Sequence, residues 1–199
     1  IDLKLIMLNF EPRKMVTKKI TLFNEHEIEY TKGRSNKLLR ALAELDEGLS
    51  GYQITRLEHL LQSATRAECD GADTDWIVST LLHNIGDIFA PYNHDEYTAS
   101  ILRPFVREQC TWVLEKHAYF QMIYYGQHVG ADPNKRKKQG VTLSLMIVSL
   151  FANVGIKGFD PEYDTLPMSH FTERIHKVFA QRPYDPKVLR SEVREKLVS

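Results

Sequence analysis

The chain holds eight histidines in 199 residues, and four of them fall in strings that read as helices. These are His59 in Leu57-Glu58-His59, His83 in Leu81-Leu82-His83-Asn84, His94 at a helix start, and His117 in Glu115-Lys116-His117. Their separations are 24, 11 and 23 residues. A helix and its turn take roughly 20 residues, so each histidine can sit at similar depth on successive helices and face one interior point, as in the metal sites of helical bundles. Neutral imidazole is the commonest metal ligand and a general acid or base near pH 7. The chemistry in view is therefore metal chelation or proton transfer; a lone histidine on an apolar helix face is more often a hydrogen-bonded core residue.

The elements that must position these side chains are nearly all helical. Ser35 is placed to cap a helix in which Leu38, Leu39, Leu42 and Leu45 recur at three and four, ending at Gly48. A second runs from about Ile54 to Glu68, with Leu57, Leu60, Leu61 and Ala64 on one face and a stop at Asp70-Gly71. Asp73 caps a third, in which Trp76, Ile77, Thr80, Leu81 and Ile85 repeat until Gly86. Further helices are predicted over Asp95 to Leu102, Pro104 to Tyr125, Val141 to Asn153 and Met168 to Ala180. Only Lys19 to Phe23, alternating and β-branched, suggests a strand. The expected organisation is an N-terminal leader or arm (1–34), a helical domain (35–182) and a C-terminal tail (183–199) that forms a surface helix or docking arm.

Five ordered motifs carry a resemblance. Leu57-Glu58-His59-Leu60-Leu61-Gln62-Ser63-Ala64, Gly71-Ala72-Asp73, Leu81-Leu82-His83-Asn84-Ile85-Gly86-Asp87, His94-Asp95-Glu96 and His117-Ala118-Tyr119-Phe120-Gln121 are similar to the HD-domain superfamily. They resemble most its oxygenase-like branch, which includes mixed-valence di-iron phosphonate oxygenases and is related to myo-inositol oxygenase. Phe159-Asp160-Pro161-Glu162-Tyr163-Asp164-Thr165-Leu166-Pro167 resembles that branch as well, so the likeness covers about residues 35 to 182. It implies an all-α HD-domain bundle of about seven helices. It also implies that His59 and His83 hold one iron while His94 and His117 hold the other.

Two departures bear on that metal site. The family's bridging Asp is Asn84 here, and its distal Asp position falls on Gly155. A bridging carboxylate offers two anionic oxygens to two cations, whereas an amide offers one neutral carbonyl, and glycine offers nothing. The resemblance with these losses implies a degenerate, His-rich site for one iron rather than two, or an unmetalled cluster held by its own members and by Asp87, Glu58 or Asp95. Four imidazoles can also chelate Zn, Ni or Cu. The positions of the branch's gating Tyr and its Glu hold Leu49 and Tyr52, which weakens a phosphonate substrate.

Around the histidines, His83, Asn84, Tyr52 and Lys116 are the candidate catalytic residues. Tyr52 and Tyr119 can line a pocket or fill the core, Lys116 can face a substrate anion or turn outward, and Glu58 or Asp87 can orient a ligand ring. His26, His128, His170 and His176 show no partner pattern and read as surface or structural. The run Lys135-Arg136-Lys137-Lys138 can bind phosphate, but reads as a solvated loop. No Gly-x-Ser-x-Gly elbow and no glycine-rich phosphate loop occurs.

Composition bounds the partners. Lys and Arg total 26 against 26 Asp and Glu, a formal charge of zero, whereas polyanion and anionic-membrane binders carry an excess of Lys and Arg. Two cysteines, Cys69 and Cys110, make no disulfide scaffold, so a reducing, cytoplasmic setting is the expectation. The longest apolar run, Val141 to Val154, falls short of the roughly 20 residues of a membrane span and reads as a buried core helix. Ile1 to Lys14 reads as a leader or part of a longer protein, with Met15 as a plausible start. The expected function is an iron-dependent, oxygenase-like enzyme acting on a small polar metabolite, with a homo- or hetero-oligomer as a candidate assembly. The alternatives are a metal-free pseudoenzyme that binds a ligand or partner, a histidine acid/base catalyst, and a phosphohydrolase, which is disfavoured because it needs a metal-bound hydroxide.

Overall fold

The computed structural model describes residues 30–31, 33–47, 53–125 and 159–191, with side chains of the long helix described as far as Ala118. Among these residues the chain is all-α, with seven α-helices, one 3-10 turn and no strand. The helices are α1 (Arg34–Glu44), α2 (Arg56–Cys69), α3 (Thr74–Leu82), α4 (His94–Leu102), α5 (Glu108–Tyr125), α6 (Met168–Phe179) and α7 (Pro186–Leu189); the 3-10 turn is Ile85–Ile88. None is long and apolar enough to cross a membrane. The expected strand at Lys19 to Phe23, the helix over Val141 to Asn153, Tyr52, Gly155, His26, His128 and the basic run at Lys135 lie outside the described residues.

Apolar periodicity and end signals account for most of these elements. Helix α2 begins at a capping box: Glu58 N–H donates to Thr55 Oγ1 at 3.1 Å, and Thr55 N–H donates to Glu58 Oε2 at 2.6 Å. It stops where Gly71 takes a positive φ of 75°, a conformation that favours glycine. Asp73 caps α3 as expected, accepting from Trp76 N–H at 3.0 Å. Every residue from Trp76 to Leu82 is buried, so α3 is the central helix; it packs against α2, α5 and α6, while α4 packs along α5. The core joins Leu42, Leu60, Trp76, Leu81, Leu114 and Phe171, drawn from five different helices.

Three boundaries differ from the sequence expectation. Ser35 is not a cap: Gly33 holds that position without a side-chain bond, and Ser35, buried as the second residue of α1, meets His176 Nδ1 of α6 through its Oγ at 2.8 Å. Helix α3 ends at Leu82 instead of Gly86, since the chain tightens into the 3-10 turn at Ile85. Helix α5 starts at Glu108 instead of Pro104, because Arg107 is tied back to the start of α3. Its N–H donates to Asp75 Oδ2 at 3.0 Å, and its guanidinium pairs with Asp73 at 2.7 Å.

Candidate metal centre

The helices bring the four histidines together. His59 lies one turn into α2, His83 caps the C-terminus of α3, His94 opens α4 and His117 sits on α5. His59, His83 and His117 are buried, and His94 is half-buried. They form two close pairs: His59 Nε2 is 3.1 Å from His83 Nε2, and His94 Nε2 is 3.3 Å from His117 Nε2. The His83 and His117 rings join the pairs edge to face, with centroids 5.6 Å apart.

Gly86 allows this convergence. A Cβ there would stand 2.6 Å from the carbonyl oxygen of His94 and 2.8 Å from its Cα, so only glycine lets the start of α4 come this close to the 3-10 turn.

The second ring nitrogens fix the tautomers. His83 Nδ1 lies 2.6 Å from the Thr80 carbonyl oxygen, and His117 Nδ1 lies 2.6 Å from that of Leu114. A carbonyl only accepts, so both Nδ1 atoms carry hydrogen, and in the neutral rings both Nε2 atoms present lone pairs. His94 Nδ1 likewise faces acceptors, Asp87 Oδ1 at 3.2 Å and the Pro91 carbonyl at 3.4 Å. Two lone-pair nitrogens therefore meet across the 3.3 Å between His94 and His117, a contact that needs a positive charge between them: a proton on one ring, or a metal ion. Two nitrogens each about 2.1 Å from a common ion, at the observed separations, subtend about 100°, within ordinary coordination geometry.

Electrostatics keep the inner rings neutral. Burial lowers His83 well below the usual histidine range, and the neighbouring His59 and His117 add to the shift. Burial likewise lowers His117 to about 4. Neutral imidazole is the form a metal takes. Asp87 is raised by its burial, against the pull of His94 and of Arg56, whose Nε lies 3.4 Å from Asp87 Oδ2.

Beside this cluster is a cavity of about 130 Å³, lined by Thr55, Arg56, His59, Asn84, Asp87 and Phe159 among others. Asn84 Oδ1 is buried and has no hydrogen-bond partner among the described residues. An orphaned buried carbonyl costs about 1–3 kcal/mol, which a ligand or cation can relieve. The donors fit a divalent ion: two neutral imidazole nitrogens in each pair, with a carbonyl oxygen lining the same cavity as His59. Yet among the described residues no three His, Cys, Asp or Glu side chains gather into one metal-holding group, so the histidines form two close pairs and not a preformed four-imidazole cage.

The chain matches no family model and no curated protein.

The remaining candidates divide. Asn84 lines the cavity, and Asp87 Oδ1 lies 3.2 Å from His94 Nδ1, where it holds that ring's orientation. Glu58 does not: its carboxylate belongs to the exposed cap of α2. Lys116 is half-buried beside His117 and makes none of the hydrogen bonds or ion pairs around the four rings. His170 and His176 are structural, His170 joining Arg174 on Glu68 at 2.9 Å.

Sequence reasoning placed Gln62 and Phe159 within motifs but gave neither a role at the site. Phe159 stacks on the His59 ring at 4.1 Å. Gln62, one turn after His59, holds the segment that carries it: its Nε2 donates to the Asp160 carbonyl at 2.6 Å, and its Oε1 accepts from Asp160 N–H at 3.2 Å. The available signal was polar spacing on an apolar helix, His59, Gln62 and Thr65, all buried. Thr65 Oγ1 accepts from Leu166 N–H at 3.1 Å and fixes the same strap further on.

Proposed function

We propose that the chain is an HD-like metal-dependent enzyme that holds a single divalent ion, iron by resemblance, and acts as an oxygenase on a small polar metabolite. The observation that carries this reading is the orphaned Asn84 Oδ1, a buried acceptor in the same cavity as His59. His59 and His83, with Asn84, would hold the ion; His94 and His117 form the adjoining pair, oriented by Asp87. When bound, the ion supplies Lewis acidity and, if it is iron, access to oxygen chemistry. The chain's own residues do the rest. Arg56 at the cavity presents a cation to a polar substrate, Phe159 shields His59, and the lowered basicity of His83 and His117 keeps their nitrogens available as ligands. A volume of about 130 Å³ lies well below the roughly 300 Å³ at which drug-sized sites begin, and so suits a small substrate.

A second reading has an observation of its own. His59 and His83 lie within hydrogen-bond distance of each other, so one ring can donate to the other in a metal-free polar cluster of a ligand-binding protein. Elemental analysis separates the two. Protein purified without added metal, then given Fe(II) anaerobically and desalted, is expected to retain close to one ion per chain, and His59→Ala with His83→Ala to lose it. Less than about 0.1 equivalent of any transition metal in the wild type, with no gain on Fe(II) addition, would sink the metal reading.

A further inference from the structure

A separate cavity of about 300 Å³ shares no lining residue with the histidine site. Leu38 and Ala41 of α1, Ile85 and Phe89 at the 3-10 turn, and Tyr97 and Ile101 of α4 line it. Phe89 is 64% exposed, a large aromatic surface left facing solvent. Two cations, Arg34 and Lys37, complete one side, and no Asp or Glu among the described residues lines the cavity. Both are held by aromatic faces: the Arg34 guanidinium stands 4.7 Å over the Phe105 ring, and Lys37 Nζ stands 3.9 Å over Tyr30. Arg34 Nε also donates to the Thr31 carbonyl at 2.8 Å, which leaves the far end of the guanidinium to other acceptors. Neither cation is paired with a carboxylate among the described residues. Three residues apart on one helix, their stems start about 5–6 Å from each other, close enough for both heads to reach one anion.

We propose that this cavity binds an anionic amphiphile, a free carboxylate on an unbranched alkyl chain, with the tail among the apolar residues and the headgroup on Arg34 and Lys37. The lining supplies the burial, and the two cations, with no carboxylate partner among the described residues, supply charge-assisted hydrogen bonds that fix the orientation. The proposal is independent of the metal reading, since the two cavities have no residue in common.

Isothermal titration of the intact chain with decanoate, kept below its micelle-forming concentration, tests it. Saturable one-to-one binding is expected, with decyltrimethylammonium at least about tenfold weaker. Arg34→Met with Lys37→Met keeps apolar stems while removing both charges, and should weaken decanoate about tenfold yet leave 1-decanol binding in place. Ile101→Asp should abolish both. If that variant fails to fold, as judged by circular dichroism, the methionine pair on partly exposed positions still decides. Equal binding of decanoate and decyltrimethylammonium, or decanoate binding unchanged by the methionine pair, overturns the proposal. So does the absence of saturable decanoate binding, whether the chain instead binds anionic phosphatidylglycerol vesicles or forms a dimer that decanoate does not dissociate.

Discussion

Asn84 and Gly86 stand two residues apart, and each constrains the site in a way a substitution can measure. Replacing Asn84 by Leu removes a buried acceptor that has no partner among the described residues, so metal-free protein should gain about 1 kcal/mol in urea unfolding. The same variant should lose whatever stabilisation added Fe(II) gives the wild type. A variant that loses stability without metal would mean that Asn84 Oδ1 is satisfied in solution. Gly86→Ala places a methyl group against the backbone of His94, which cannot swing aside as a flexible side chain would. Its expected cost is about 1–3 kcal/mol, the usual range for overpacking, with the His94 ring resonances shifted in NMR spectra. Unchanged stability and unchanged His94 resonances would show that α4 can retreat without consequence.

At the scale of the element, α2 matters most, because His59, Gln62 and Thr65 project from it over two turns. Its start depends on the reciprocal bonds of Thr55 and Glu58. Thr55→Ala should therefore cost about 1 kcal/mol by chemical denaturation, whereas Thr55→Ser, which retains the hydroxyl, should cost a few tenths. Equal losses in the two variants would point to the threonine methyl instead of the cap. The elements also show what was legible beforehand. Asp73 was readable because an N-cap and the apolar period after it are local signals. Ser35 was misread because its hydroxyl answers to His176, 141 residues away, and no local pattern reports that partner. The start of α5 was misplaced for the same kind of reason, since Asp73 and Asp75 hold Arg107 from another helix. Helical depth was enough to gather four histidines and the motif resemblance to group them as His59 with His83 and His94 with His117, but neither reveals the ring tautomers, which the Thr80 and Leu114 carbonyls set through contacts no local pattern reports. The strap from Phe159 was legible as a motif, and its hold on Gln62 was not.

For the whole molecule, a neutral charge balance conceals an uneven response to acid. His117 titrates near 6.5 when exposed and is lowered to about 4 by burial, so between those values the unfolded chain binds a proton that the folded chain refuses. Stability is then complete above about pH 6.5 and is lost as the pH falls toward about 4. A shift of that size corresponds to about 3 kcal/mol, a large share of the 5–15 kcal/mol typical of a domain. His83, shifted in the same direction by the same cause, adds to the loss. Asp75 and Asp87 act oppositely: burial raises both, so the folded state takes up their protons more readily than the unfolded chain and recovers part of the stability just above the ordinary carboxylate range. Urea midpoints of the metal-free protein should therefore fall steadily from about pH 6.5 to pH 4.5. His117→Gln, whatever its stability at neutral pH, should show a shallower decline, because the replacement has no proton to bind. A midpoint constant to pH 4.5, or a slope untouched by that substitution, would mean that the imidazole of His117 accepts its proton within the fold, as an ion pair with Asp95 or as an imidazolium shared with His94.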